Sequence, residues 1–239
     1  MSLELKPHLK EVGDLYKKIC EFESRVSLRY SYSPLDQAHY YKEEDIETVT
    51  EALSKGLEFT TEELEKIKDA LYSEKIDFMR LTNDEGKIPE DEFQLLYIIS
   101  RPYFISLRNT MNMDNMFWQD GSCSVCGAKP SLSVIEKESQ RIYYCSLCGN
   151  QGYYMRIGCP SCLSESPQDI NIITLEGEEG MRADLCDKCK SYCKTFESSM
   201  IADHSIEYLD ILSIPLDIIA QDKGYKRNSP NPVGIIKMG

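Results

Sequence analysis

The sequence predicts an α+β protein: a helical first half, short strands around closely spaced cysteines in the second half, and a return to helix near the C-terminus. Three observations predict this. Apolar residues recur every three or four positions through residues 1–117, the period of one helix face. After Trp118 that period gives way to short runs rich in β-formers. Nine of the ten cysteines lie beyond residue 120, and eight of them form four Cys-x-x-Cys pairs.

Leu5, Leu9, Val12, Leu15, Ile19, Phe22 and Val26 define a first helical stripe. Ile46, Val49, Leu53 and Leu57 define a second, with Gly56 placed to cap it. Thr60 and Glu63 form a capping box ahead of the next helical run. Residues 90–117 make a further apolar helical stretch, which Pro102 is expected to kink or break. SYSPLDQ (31–37) and TNDEGKIP (82–89) read as loops. In the second half, PSLSVI (130–135) and RIYY (141–144) read as strands beside cysteine pairs. INIITLEGEEGMRADL (170–185) reads as two strands around a Gly-Glu-Glu-Gly turn. Helix returns from about residue 200, interrupted at Pro215 and closed at Gly224, before an irregular tail.

The cysteine pairs are 123/126, 145/148, 159/162 and 186/189. Two intervening residues on a tight turn let both sulfurs point at one ion, while backbone N–H groups of the turn stabilise the thiolates. Gly127 and Gly149 directly follow two of the pairs, where such a turn favours a positive φ. Pairing in chain order gives one four-cysteine site from Cys123, Cys126, Cys145 and Cys148. It gives a second from Cys159, Cys162, Cys186 and Cys189. An interleaved arrangement, first pair with third, is the alternative. Each site is expected to take one metal ion, zinc or iron: the same thiolate shell accepts redox-silent zinc or one-electron iron. Cys193 and Cys20 read as ordinary thiols, and the scattered His8, His39 and His204 as non-ligands.

The expected organisation is therefore a helical domain (1–117), a first rubredoxin-like or zinc-ribbon-like metal module (118–158), a second (159–198), and a C-terminal helix and tail (199–239). The formal net charge is -13, and four thiolates around a divalent ion make it more negative still. That field disfavours nucleic acid and anionic membrane as partners. No apolar run reaches the length of a membrane span, and the charged N-terminus lacks an apolar signal core. A cytoplasmic location is expected, in which paired cysteines serve as metal ligands rather than disulfides. The sequence carries no nucleotide-binding glycine loop, nucleophile elbow or His-Glu-x-x-His motif, and it offers no convincing catalytic constellation.

From about 121 to 232 the chain resembles the formate dehydrogenase accessory protein family, FdhE. The resemblance rests on CSVCG, RIYYCSLCG and MRIGCPSC, then on Tyr192 and Lys194 in CDKCKSYCKTF. Its ending adds Leu216, Asp217, Gly224, Tyr225, Arg227, Asn231 and Pro232. Gly152 stands where the family often has tryptophan, and Asp210 has Leu209 beside it where an acidic pair is common. The resemblance implies a metal-binding assembly factor for formate dehydrogenase, or a related molybdenum or tungsten enzyme. Its protein partner would be that enzyme's catalytic subunit. It implies the eight paired cysteines as essential residues and two rubredoxin-like metal sites. Tyr225 and Arg227 are expected either to contact the client or to serve the fold, Arg227 by pairing with an acid and Tyr225 by packing. The alternative is a rubredoxin-like electron-transfer protein with two iron sites.

Overall fold

The structure, a computed structural model, describes residues 7–33, 39–73, 76–83, 90–111, 113, 115–136, 140–231 and 233. Leu5, the side chain of His8, residues 34–37 and 84–89 of the two expected loops, and Pro232 lie outside the described residues. Helix α1 (Lys10–Arg25) buries Ile19 and Phe22, and α2 (Glu43–Gly56) buries Ile46, Val49 and Leu53 against it. Gly56 is no cap, because the helix runs through it into an extended Leu57. A Cβ at position 56 would meet Phe22 Cβ at 3.0 Å, so the glycine serves the close approach of α1 and α2. Helix α3 (Thr61–Ser73) opens on the expected capping box. Glu63 N donates to Thr60 Oγ1 at 3.3 Å, and Thr60 N donates to the Glu63 carboxylate at 2.8 Å. A short α4 (Arg80–Asn83) leads to α5 (Glu90–Met111).

Pro102 lies inside α5, and the helix continues through it. Proline removes one N–H from the helical ladder and crowds the preceding turn. Here a hydroxyl from α2's approach enters the gap. Tyr41 Oη donates to the Ile99 carbonyl at 2.7 Å and accepts from Tyr103 N at 3.1 Å. Those two groups would bond to each other in an undisturbed helix. The buried tyrosine thus relays the interrupted bond, and no break follows.

Strand β1 (Met116–Phe117) ends the helical half. The remaining strands are β2 (Leu132–Ile135), β3 (Arg141–Tyr144), β4 (Gln151–Tyr153), β5 (Ile170–Leu175), β6 (Glu178–Cys186), β7 (Ser191–Glu197) and β8 (Lys226–Arg227). The β5–β6 turn falls at Glu176–Gly177, earlier than the expected Gly-Glu-Glu-Gly, because Glu178 already pairs with Leu175. The strands form one sheet in the order β1-β4-β3-β2-β7-β6-β5, with β8 parallel to the start of β7. The parallel pairing of β2 with β7, Leu132 opposite Lys194, joins the two cysteine-bearing segments into that single sheet. Helices α6 (Ile206–Leu212) and α7 (Ile214–Asp222) cover one sheet face, and Pro215 starts α7 as expected of a residue that stops one helix and begins another.

Two apolar clusters result. One joins Leu132, Val134, Ile142 and Phe196 of the sheet to Leu209, Leu212 and Leu216 of α6 and α7. The other gathers the helical half and extends to Trp118, Tyr143 and the first four paired cysteines.

Candidate metal centres

The cysteines fall into two groups, each with its four sulfurs within 4.8 Å of one another: Cys123, Cys126, Cys145 and Cys148, then Cys159, Cys162, Cys186 and Cys189. That is the grouping by chain order. A tetrahedral ion with metal–sulfur bonds of about 2.3 Å places its sulfurs roughly 3.8 Å apart. The close pairs measure 3.5 Å (Cys123–Cys148), 3.4 Å (Cys126–Cys145), 3.6 Å (Cys159–Cys189) and 3.8 Å (Cys162–Cys186). A disulfide needs about 2.05 Å, and all ten cysteines are free. The donor sets fit a thiolate-bound ion, with zinc and iron equally served by this shell.

Three of the four pairs share one turn bond, and all four share a left-handed residue after the second cysteine. Gly127 N donates to the Cys123 carbonyl at 2.9 Å, Gly149 N to Cys145 at 2.8 Å and Lys190 N to Cys186 at 2.8 Å. The residue after each second cysteine is left-handed: Gly127 at φ 77°, Gly149 at 73°, Leu163 at 58° and Lys190 at 58°. The first site therefore uses glycine where the geometry demands it, and the second uses two residues that bear the strain of a Cβ.

Hydrogen bonds decide which sulfurs carry charge. Burial pushes the Cys123 thiol up, but hydrogen bonds from Cys126, Cys145 and Cys148 outweigh it and hold it well below the usual range. Cys126 is raised because it donates to those same neighbours, and Cys148 is raised chiefly by burial. In the second site burial again works against ionisation of Cys159. The Ser191 hydroxyl and the N–H groups of Cys162 and Ser161 overcome it, bringing the thiol down to about 7. Cys162 and Cys186 are raised, mainly by burial. In each cluster one thiol is held down while two are pushed up. A divalent cation is the group that would let all four ionise together.

Two supporting residues escaped the sequence reading. Asn150 Nδ2 donates to Cys123 Sγ at 3.6 Å and to Ser124 Oγ at 3.2 Å. Ser191 Oγ lies 3.5 Å from Cys159 Sγ and 3.0 Å from Cys189 Sγ. Both sit five positions after the first cysteine of their turn, a shared offset that could have marked them. Cys193 joins neither four-cysteine group: it is buried, its Sγ donating to Ser133 Oγ at 3.6 Å, and burial raises its thiol pKa. Gly152 has a local reason. A Cβ there would lie 1.9 Å from Trp118 Nε1, so the indole of Trp118 already fills the space over this strand.

The residues of the family-like ending converge beneath α6 and α7. On β7, Tyr192, Lys194 and Phe196 alternate onto the helix-covered face. Lys194 Nζ there meets Asp210 Oδ1 and Asp217 Oδ2, each at 2.5 Å. Arg227 donates through Nη2 to Asp210 at 2.7 Å and through Nη1 to Asp217 at 3.0 Å. Tyr192 Oη donates to Asp217 Oδ1 at 2.7 Å. Arg227 is 1% exposed and Lys194 0%. Of the two readings of Arg227, client contact or an acid partner within the fold, the structure has the second: the guanidinium is committed to two buried carboxylates. Tyr225 is also packed in, its hydroxyl donating to Asp187 Oδ1 at 2.6 Å beneath Lys190. The following residues tie the metal turns together. Asn228 Nδ2 donates to Ser161 Oγ of the third turn at 2.5 Å, and Ser229 Oγ accepts from Ser146 Oγ of the second turn at 2.8 Å.

Residues 157–233, which hold the second cluster and this buried network, match the family model described as FdhE, C-terminal domain. An FdhE homolog of Stutzerimonas stutzeri is 32% identical over 114 residues, 46% of this chain and 37% of the relative. The FdhE protein of Escherichia coli K12 is 26% identical over 182 residues, 72% of this chain and 55% of the relative. An FdhE homolog of Aquifex aeolicus is 25% identical over 178 residues, 71% of this chain and 62% of the relative. The chain thus spans less than two thirds of the curated relatives it matches. The crystal structure of the FdhE protein from Pseudomonas aeruginosa shares the fold, with a TM-score of 0.66 at 19% identity over 95% of this chain and 88% of that one. The chain is thus similar to FdhE proteins through its C-terminal domain and its curated relatives, and it shares a fold with one of them.

Proposed function

We propose that the chain is a non-enzymatic accessory factor for maturation of formate dehydrogenase, or a related molybdenum or tungsten enzyme. It would hold two ions, zinc or iron, in the two cysteine clusters and bind the catalytic subunit of its client before that subunit is complete. The observation that carries this reading is the pair of four-sulfur clusters with tetrahedral spacing, set in a fold shared with an FdhE protein. Cys123, Cys126, Cys145 and Cys148 would hold one ion, and Cys159, Cys162, Cys186 and Cys189 the other. When bound, each ion supplies folding energy, or one-electron chemistry if it is iron. The acidic character of the chain, net charge -13, supports a protein partner over nucleic acid.

The test is co-purification from the native host, tagged at low expression and handled without oxygen. A formate dehydrogenase catalytic subunit should accompany the wild type and be lost with a Cys145→Ser variant. Its absence from the wild type, under conditions where that dehydrogenase is abundant, would overturn the client assignment. Electron transfer is the second reading, favoured by the exposure of Cys189, through which a redox partner could approach the second cluster. It requires a reversible ferric/ferrous transition in protein made with adequate iron. Stable zinc in both sites of native protein removes it.

A further inference from the structure

The two clusters differ in what surrounds them. In the first, all four sulfurs are buried, and the cluster lies inside the core of the helical half. Its second turn is clamped by α5: Tyr97 Oη donates to the Ser146 carbonyl at 2.6 Å, Arg101 donates to the same oxygen, and Arg108 Nη1 donates to the Gly149 carbonyl at 3.1 Å. In the second, Cys159 and Cys186 are buried, but Cys162 is half-buried and Cys189 exposed. As ligands Cys162 and Cys189 are both partly buried, less covered than Cys159 and Cys186; they come from different turns, and each belongs to a different close pair. The edge between Cys162 and Cys189 is therefore the less covered one, while Cys159 and Cys186 on the opposite edge are buried. The left-handed residues beside that open edge are Leu163 and Lys190, both exposed and both without the relief glycine provides.

Ligand exchange at a four-thiolate ion needs room for an incoming donor beside a sulfur that can swing away. We propose that the clusters are not equivalent. Cys159, Cys162, Cys186 and Cys189 form an exchangeable site, which trades a thiolate-binding divalent ion with small thiols or chelators through its open edge. The Cys123, Cys126, Cys145 and Cys148 cluster keeps its ion. This rests on the reading that both clusters bind metal. In the exchange, Cys189 yields its bond to the ion as the incoming donor forms one, and its sulfur takes a proton from water. Cys162 follows in the same way, leaving Cys159 and Cys186 as anchors until further incoming donors replace their two bonds and those sulfurs take protons from water in turn. No electrons move, and the ion departs with the incoming ligands.

The full chain is loaded with zinc and its metal content measured. Release to the chromophoric chelator 4-(2-pyridylazo)resorcinol is then followed, with timed iodoacetamide alkylation and peptide mass spectrometry alongside. Two ions should bind, with one leaving faster than the other by about tenfold or more, as expected for local opening against opening of a core. Cys162 and Cys189 should be alkylated in the fast phase and the first cluster's cysteines only in the slow one. A Cys189→Ser variant should lose the fast phase and retain the slow ion. The alkylation order in wild type decides the matter even if that variant folds poorly. Two ions released in one phase with all eight cysteines alkylated together, or the first cluster labelled first, would overturn the inference and leave metal binding standing. A folded chain that takes up no zinc or iron would overturn both.

Discussion

Lys194 illustrates how a single position acquires meaning from its neighbours. Lysine is rarely fully buried unless paired, yet strand parity points this one beneath two helices, where Asp210 and Asp217 wait. With Arg227 the group holds two positive and two negative side chains, so the buried charge cancels. Removing one partner strands an opposite charge in a water-poor site, which costs about 3–5 kcal/mol. Lys194→Met should lower the stability read from urea unfolding by that amount, with the slope of the transition unchanged. The network also sets an acid limit. Burial disfavours the Asp210 carboxylate, but Arg227 and Lys194 outweigh it and depress its pKa. A depressed folded-state pKa stabilises above the unfolded value, about 3.9 for aspartate, and that contribution disappears as pH falls through the folded one. Urea midpoints should therefore fall as the pH drops below the ordinary aspartate range, and Asp210→Asn should flatten that part of the profile. The sequence leaves this open. Arg227 reads there equally as a client contact or as the partner of an acid, because the identity of a charged residue does not say that acids ten and seventeen positions upstream fold onto it.

Elements were more legible than their partnerships. The helical stripes, the capping box at Thr60 and the strands beside the cysteines follow local periods and local chemistry, which a sequence displays directly. Pro102 shows the limit. Local chemistry predicts a break, and a distant tyrosine cancels it. Tyr41→Phe keeps the ring packing and removes only the hydroxyl, leaving the Ile99 carbonyl and the Tyr103 N–H without their shared relay. The cost should be about 1–3 kcal/mol, visible as a lowered Tm. A Pro102→Ala background should shrink that cost, because the ladder can then close on itself; an unchanged cost in that background would refute the relay. The metal turns offer a second case. Cys-x-x-Cys spacing announces four of them, but not that two place a side chain at positive φ. Leu163 is exposed, so Leu163→Gly should stabilise the zinc-loaded protein by up to about 1 kcal/mol. Gly127→Ala, whose Cβ meets nothing within 4 Å, should cost about 1–2 kcal/mol through backbone conformation alone.

At the scale of the molecule the sequence suggests a boundary near Trp118, with helices before it and metal modules after. On that view, metal removal should unfold the second half first and spare the helices. The packing divides the chain differently. The first cluster shares its core with the helical half, while no cysteine of the second belongs to either apolar cluster. The pairing of β2 with β7 that joins them is long-range and parallel, and no local pattern reports it. Metal loss should consequently propagate in two unlike steps, which hydrogen exchange of the zinc-loaded chain can separate. A mild chelator that removes one ion should raise exchange in the turns at 159–163 and 186–190, with α5 still protected. A stronger chelator that removes the second ion should raise exchange in the turns at 123–127 and 145–149 and, in the same step, in α5 around Tyr97, Arg101 and Arg108. Those three side chains bond to the carbonyls of a turn whose shape the ion would maintain. Protection of α5 that survives full metal removal would mean the helices hold the first cluster in place without needing its ion. The boundary near Trp118 would then be energetic as well as sequential.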